Sequence, residues 1–413
     1  KGELWKLRCL STEPAAAQLE QLGASIFEAW TNEPWIVDGA AVRVSIICAG
    51  EAHTPVRLNG TLVDKINPDL SSKSKVYLAR PMPSNKQTAF QGAKLNGPFD
   101  VSAAEARALL TLPINPNGTR NVGVVKRFYG NDDVTQRTQD GWILDFTHLP
   151  NIYDAALYEA PFALVSRVRE YRATLIKGAK TENEKLDSYW LMQRPRPRLR
   201  KATEHLSKCL CVPETSEHLL FRWLPSTGVF SGSLFVIAKD DDVCFGILSG
   251  SAHSVWARAL GNKMGAGNQS RYNATKTFGT FPFPEGLTPD IPTSAYADDP
   301  RAIAIAEAAA RLNELRENWL NPADLVRREP EVVPGYPDRI LPVDEAAAKE
   351  LKKRTLTNLY NARPAWLDHA HKALDSAVAA AYGWPDDLSE DEILARLFAL
   401  NQERAKAQEK AAK

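Results

Sequence analysis

The sequence predicts an α+β protein with a helix plus β-hairpin at its start, a mixed α+β middle and an all-α C-terminal region. Three observations predict it. Short β-like runs divided by Gly, Pro and Asn fill the chain from Asn67 to Pro284. A proline-rich stretch follows, and beyond Pro300 apolar residues recur at helical spacing behind clear N-terminal caps. These shifts divide the chain into residues 1–66, 67–284, a linker at 285–299, and 300–413. Such a division suits 413 residues, because a single core rarely grows beyond ~250.

Each element has a local signal. Ser11 or Thr12 caps a predicted helix over 11–30, with Pro14 in the tolerant first turn and an Ala/Leu/Gln-rich run to Trp30. Ala40–Ile47 and Val56–Ile66 read as two strands of an antiparallel hairpin, turning at Gly50–Pro55. In the middle, Ser233–Ala238 and Val243–Leu248 predict a hairpin about Asp240-Asp241-Asp242. A helix over Ser251–Leu260 follows, with Ala252, Trp256 and Leu260 on one face. Four helices complete the chain. Asp299-Pro300 opens the first, which runs to about Trp319; Asp344 opens the second and Pro364 the third; a Ser389/Glu392 capping box opens the fourth. In the third, Trp366, Ala370, Leu374, Val378 and Tyr382 form a stripe that reads as a buried face.

Charge is nearly balanced overall, at +1, so its distribution carries the information. Residues 167–201 are strongly basic. Within them Arg194, Arg196, Arg198 and Arg200 alternate with Pro195, Pro197 and Leu199, and Lys201 follows. Prolines favour extended backbone, which would set four guanidiniums on one side at ~6–7 Å, close to the spacing of phosphates on a DNA strand. The alternative reading is a solvated surface loop. Tyr189 and Trp190, just before the run, would anchor it or stack. A second stretch, Gly265 to Lys276, offers Asn268, Arg271, Tyr272 and Lys276 for base-edge or phosphate contacts, against the plainer reading of a turn.

Other chemistries are excluded or weak. No apolar run approaches a membrane span. Five scattered cysteines (Cys9, Cys48, Cys209, Cys211, Cys244) read as reduced thiols of a cytoplasmic protein. No metal site is expected: His369 and His371 point to different helix faces, Cys209 and Cys211 lack a second pair, and Asp240–Asp242 reads as a turn rather than a nuclease cluster. The Gly265 stretch lacks the Gly-Lys-Ser/Thr of a phosphate loop. No Ser/His/Asp or Cys/His motif stands out.

Several stretches, in order, resemble the MmeI-like, class I S-adenosyl-L-methionine-dependent adenine DNA methyltransferases of restriction-modification and phage defence. They begin with Ala24–Trp30 and Glu33–Ser45, then Ala89–Gly92, Leu112–Gly118, Leu157–Phe162 and Arg196-Pro197. The most specific is Phe235–Asp242 with Phe245–Leu248, continuing through His253–Ala257, Gly267-Asn268 and Arg271-Tyr272 to Thr277–Pro284. Arg354–Asn361 and Ala380–Pro385 resemble the family's helical tail.

The resemblance implies that 1–66 is the remnant of an α/β methyltransferase sheet, 67–284 a target-recognition domain that binds double-stranded DNA, and 300–413 a supporting helical domain. The family's Asn-Pro-Pro-Tyr/Phe motif and its Gly-rich S-adenosyl-L-methionine loop are absent from this chain, so no catalytic residue and no cofactor of its own are expected. The chain opens on Lys1 within what reads as a folded unit, and the expected missing partner is an N-terminal methyltransferase portion, with or without a nuclease. A stand-alone specificity subunit serving a separate methyltransferase or nuclease is the alternative.

Overall fold

The computed structural model describes residues 24–37, 40–51, 54–67, 70, 76–175, 186–264 and 269–411. Its first unit is a four-stranded sheet, ordered β2-β1-β3-β4. Strands β1 (Ser25–Val37) and β2 (Ala40–Gly50) form a long antiparallel ribbon, β3 (Val56–Leu58) lies parallel to β1, and β4 (Thr61–Val63) folds back on β3. Two expectations are corrected here. Residues 25–30 are strand, not helix; the rest of the expected helix, to residue 23, lies outside the described residues. The Ala/Leu/Gln-rich composition behind that expectation ends at Leu22, and from Ser25 the chain is strand, with a register shift between Ile26 and Glu28 that puts Ile26 and Ala29 together in a small core with Ile66 and Leu70. The hairpin partner of β2 is therefore β1. Val56–Val63 instead turns on itself through Asn59-Gly60, both at positive φ (50° and 78°), as a two-residue turn requires.

The middle of the chain builds a body and an inserted lobe. The body sheet has the order β11-β9-β13-β5, from β5 (Ala89–Gln91), β9 (Lys208–Pro213), β11 (Arg222–Pro225) and β13 (Leu234–Ile237). As an inner strand covered on both faces, β9 buries Cys209, Leu210, Cys211 and Val212, which leaves these thiols inert. The lobe spans 95–193. It contains β6 (Asp100–Val101), α1 (Ala103–Thr111), β7 (Val125–Tyr129), α2 (Asn131–Thr135), β8 (Trp142–Leu144), α3 (Ile152–Ala156) and α4 (Glu159–Leu175). Its own core gathers Leu110, Val125, Trp142, Ile143, Val165 and Val168.

Beyond the lobe come α5 (Pro197–Thr203) and three short strands: β10 (Thr215–Ser216), β14 (Asn262–Met264) and β15 (Gln269–Arg271), which form one ribbon. A further two-residue strand, β12 (Val229–Phe230), crosses from the body to pair with β7 of the lobe. The hairpin expected over 233–248 is half right. Its first arm is β13, but its second is helix α6 (Asp242–Ser249), with Asp241 Oδ1 accepting from Cys244 N at 2.8 Å. Val243 to Leu248 are all buried, and a helix apolar on every side carries no period to betray it. Helix α7 occupies Ser251–Leu260, as predicted.

The C-terminal region has the four expected helices, α8 (Pro300–Leu320), capped by Asp299, α9 (Glu345–Leu351), capped by Asp344, α11 (Ala365–Tyr382) and α12 (Glu390–Ala411), where Ser389 and Glu392 bond reciprocally, and a fifth that was not expected, α10 (Leu356–Ala362). It is not all-α. Strands β16 (Val326–Glu329) and β17 (Arg339–Pro342) form an antiparallel ribbon, whose connecting loop reaches the lobe. The stripe on α11 is a buried face: Leu374 and Val378 are buried, while Trp366, Ala370 and Tyr382 pack against the same cluster. That cluster is the body's own, so helices α8 and α11 pack directly on α6. Within 285–299, Leu287 and Tyr296 join it too.

The seam is tightest at Gly246 of α6. A Cβ there would lie 2.6 Å from Ile305 Cγ2 and 3.1 Å from both Ala309 Cβ and Leu374 Cδ1. Gly246→Ala is therefore expected to destabilise the protein by about 1–3 kcal/mol despite its better helix propensity, read as a lower urea midpoint at unchanged slope. A neutral or stabilising result would mean that α8 and α11 do not press on α6.

Candidate nucleic-acid interface

The basic run folds differently from a comb. Pro197 occupies the first position of α5, where its fixed φ suits a helix as well as a strand. Leu199 and Thr203 then fall on one face, both buried, and Thr203 Oγ1 donates to Leu199 O at 3.1 Å. The guanidiniums consequently diverge. Arg194 stands exposed where the lobe rejoins the body, its backbone paired with Lys94 at 3.1 and 3.0 Å. Arg196 caps α5 in the left-handed region (φ 56°), donating from Nε to Gly92 O (3.0 Å) and from Nη2 to Gln91 Oε1 (2.7 Å). Arg198 and Lys201, three apart on the outer face, are exposed. Arg200 turns inward to Asp145 Oδ2 at 2.6 Å.

Two neighbours of the run are structural. Trp190 is buried and donates to Leu149 O at 3.0 Å, so it anchors rather than stacks. Arg172 of α4 is buried as well, bonding Asn96 O (2.9 Å) and Leu191 O (2.8 Å), so it ties the outgoing strand of the lobe to the returning one.

Behind α5 lies a cleft of about 460 Å³ between lobe and body. Lys126, Asp145 and His148 line it from the lobe, Arg196 and Arg200 from the returning chain, and Thr227 to Phe230 from the body. The side chain of Asp145 is 1% exposed. Burial alone would raise its pKa, but the Arg200 guanidinium and the hydrogen bonds from Thr147 outweigh burial and hold the carboxyl below its usual range. Burial pulls Lys126 and His148 downward, which leaves His148 neutral at pH 7.

The second stretch is split by the structure. Asn268 lies outside the described residues. Arg271, on β15, is paired with Glu214 (Nε to Oε1, 3.0 Å). Tyr272 does not face solvent. It is 3% exposed, with its hydroxyl 3.1 Å from His253 Nε2 and its ring against Phe221 and Phe235, so a contact role gives way to a core role. Burial pushes the His253 imidazole down to about 3, so that it serves as a neutral hydrogen-bonding partner. Lys276 is exposed on a π-helical turn over Ala274–Phe278, which Asn273 caps by accepting from Thr275 N and Lys276 N.

Thus the structure gathers Arg194, Arg196, Arg198, Arg200 and Lys201 around one helix and neck, and Arg271 and Lys276 about a separate ribbon and turn. Lys126 and His148 of the cleft escaped the sequence reading. Each is a lone polar residue about 50 to 70 positions from the arginines it joins, with no local signal to mark it. Among the described residues there is no cluster of His, Cys, Asp or Glu able to hold a metal, and Asp241 serves as a helix cap. No helix of the described residues is long and apolar enough to cross a membrane.

Residues 103–285 match the family model described as MmeI, target recognition domain. That stretch is similar to an MmeI-type target recognition domain. It takes in the lobe from α1 onward, α5, the body strands β9 to β13, and the ribbon. A solved structure of the Type IIL restriction-modification enzyme MmeI in complex with DNA is similar in fold, with a TM-score of 0.68 and 22% identity, over 94% of this chain and 47% of that one. The chain thus spans about half the length of that relative. No curated protein sequence matches it.

The Asp145–Arg200 pair should hold α5 against this MmeI-type lobe. Asp145→Asn is expected to cost about 3 kcal/mol at pH 7, because it leaves a partly buried guanidinium unpaired. A group with a depressed folded pKa stabilises above its unfolded value, near 4, and loses that contribution as pH falls through the folded one. Urea unfolding at pH 7 and pH 3 should therefore show a smaller gap between wild type and variant in acid. An equal gap at both would exclude a charged Asp145.

Proposed function

We propose that this chain reads a specific double-stranded DNA sequence, as the target-recognition and C-terminal portion of an S-adenosyl-L-methionine-dependent adenine-N6 DNA methyltransferase in a restriction-modification or defence system. The observation that carries this reading is the match of residues 103–285 to the MmeI target recognition domain, and the fold likeness to MmeI bound to DNA supports it. The physical part rests on the α5 region. Arg198 and Lys201 on α5, and Arg194 at the neck just before it, are exposed cations suited to phosphate contacts that set register without reading sequence. Base readout would fall to the polar stretch 265–276, from which Tyr272 is now withdrawn into the core.

S-adenosyl-L-methionine does not fit the residues described. Its usual cradle is a Gly-rich turn between a parallel strand and a helix. The parallel pairs here, β1 with β3 and β12 with β7, lead into no such turn. No methyl-transfer step is therefore derived from this chain. Its part would be to grip and identify the duplex, with the cofactor and the flipped adenine held by the methyltransferase portion.

Duplex binding by the wild-type chain should weaken steeply as salt rises from 50 to 200 mM, because each phosphate contact releases counterions. The double variant Arg198→Glu/Lys201→Glu should lower the slope of log K against log salt by about 2 and weaken binding at least tenfold, while the thermal midpoint stays put. Absence of wild-type binding, or binding indifferent to salt, rejects the proposal.

A further inference from the structure

Several partly buried arginines have a carboxylate partner: Arg107 with Glu331 and Asp140, Arg222 with Glu317, Arg271 with Glu214. The cleft between lobe and body is different. It is lined by three cations, Lys126, Arg196 and Arg200, that share one buried carboxylate, Asp145, and Arg200 takes it. Among the described residues neither Lys126 nor Arg196 forms a salt bridge with an acid. The other acid of the lining, Glu204, is exposed at the rim. Holding positive charge in a half-buried recess without a counter-charge is costly, unless something outside the chain supplies it.

The donors are also prearranged and only partly used. Arg196 is fixed by Gly92 O and Gln91 Oε1 through Nε and Nη2, which leaves Nη1 without a protein acceptor among the described residues. The ammonium of Lys126 spends one of its three protons on Val122 O at 2.9 Å. Arg200 is braced by Pro195 O and Asp145. Arg196 keeps a left-handed backbone (φ 56°) in this position, a strained conformation for a non-glycine residue that tends to persist at working sites.

We infer that this cleft is an anion site, taking one phosphodiester group of the DNA backbone between Lys126 and Arg196, at the junction of lobe and body. The inference rests on the DNA-reading proposal and adds a site to it, distinct from the outer cations of α5. Because Lys126 belongs to the lobe and Arg196 to the returning chain, a seated phosphate would bridge the two, so that backbone contact and lobe orientation are coupled.

The test uses the full chain and a 20-base-pair duplex, with dissociation constants measured across potassium chloride concentrations for wild type, Lys126→Gln and Lys126→Arg. One lost phosphate contact should lower the log–log slope by about 1 and weaken binding about five- to tenfold near 100 mM salt, with Lys126→Arg restoring both. Among the described residues Lys126 makes a single hydrogen bond, so the thermal midpoint of Lys126→Gln should stay within a degree or two, and Arg196→Gln should likewise lower the slope by about 1 from the opposite wall. A wild-type chain that binds DNA with a slope unchanged in both Lys126→Gln and Arg196→Gln overturns the inference and leaves the DNA-reading proposal standing. Titrating inorganic phosphate without DNA separates the sources. Thermal stabilisation of wild type but not of Lys126→Gln, with equal DNA slopes, would assign the cleft to a free anion and overturn the phosphodiester assignment. A wild-type chain that binds no duplex overturns both.

Discussion

The backbone lacing at the neck of the lobe is the constraint on which the rest depends. Lys94 and Arg194 exchange both of their backbone hydrogen bonds, Ala93 N donates to Phe230 O at 2.7 Å, and Ser231 N donates to Tyr129 O at 2.8 Å. Four chain segments are fixed to one another there. A lobe of about a hundred residues thus leaves and re-enters the body at one point, and α5 must start where it ends. The position of every arginine of the basic run follows from that re-entry. So does the cleft, which is the space left between a lobe and a body joined along one edge.

One edge alone would leave the lobe free to swing, and the C-terminal region supplies a second attachment. The loop between β16 and β17 presents Glu331, whose side chain is 1% exposed, to Arg107 at 2.9 Å, and Tyr336, whose hydroxyl donates to Val125 O at 2.6 Å. Arg137 of the lobe returns the contact, bonding Asn321 Oδ1 and Ile340 O at 3.0 Å each. Farther in, Arg222 of the body joins Glu317 of α8 to the carbonyls of Asp133 and Gln136. Charge-assisted bonds of this kind are directional, so they fix orientation where apolar packing alone would allow sliding. The tail is therefore part of the framework that aims the recognition lobe.

Much of this was legible from local chemistry. The caps at Asp299, Asp344 and Ser389 and the extent of α7 follow from rules that act within four residues, and the buried stripe of α11 from a period read along a single helix. The errors share another origin. The helix expected to Trp30 is carried too far by the Ala/Leu/Gln-rich run before it, since the pairing of β1 with β2 is invisible without the partner strand. Val243 to Leu248 mimic a strand because full burial erases periodicity. The Arg-Pro alternation suits an extended chain and a helix start equally, and Leu199 settles the matter by finding a core to enter. In the candidate site, the exposed cations Arg194, Arg198 and Lys201 were visible as composition, whereas Lys126, His148 and the buried role of Tyr272 were not.

The sequence by itself determined the α+β class, most of the helix starts, the basic character of 194–201 and, through ordered short motifs, the resemblance to an MmeI-type recognition domain. Those properties are short-range or additive along the chain. Only the tertiary structure decided which cations face outward, which are spent on Asp145, Gln91 or Glu214, and where lobe, body and tail meet. The physical reason is that charge and hydrogen-bond partners here lie tens to hundreds of residues apart. What a guanidinium can still bind depends on the partners that folding has already given it.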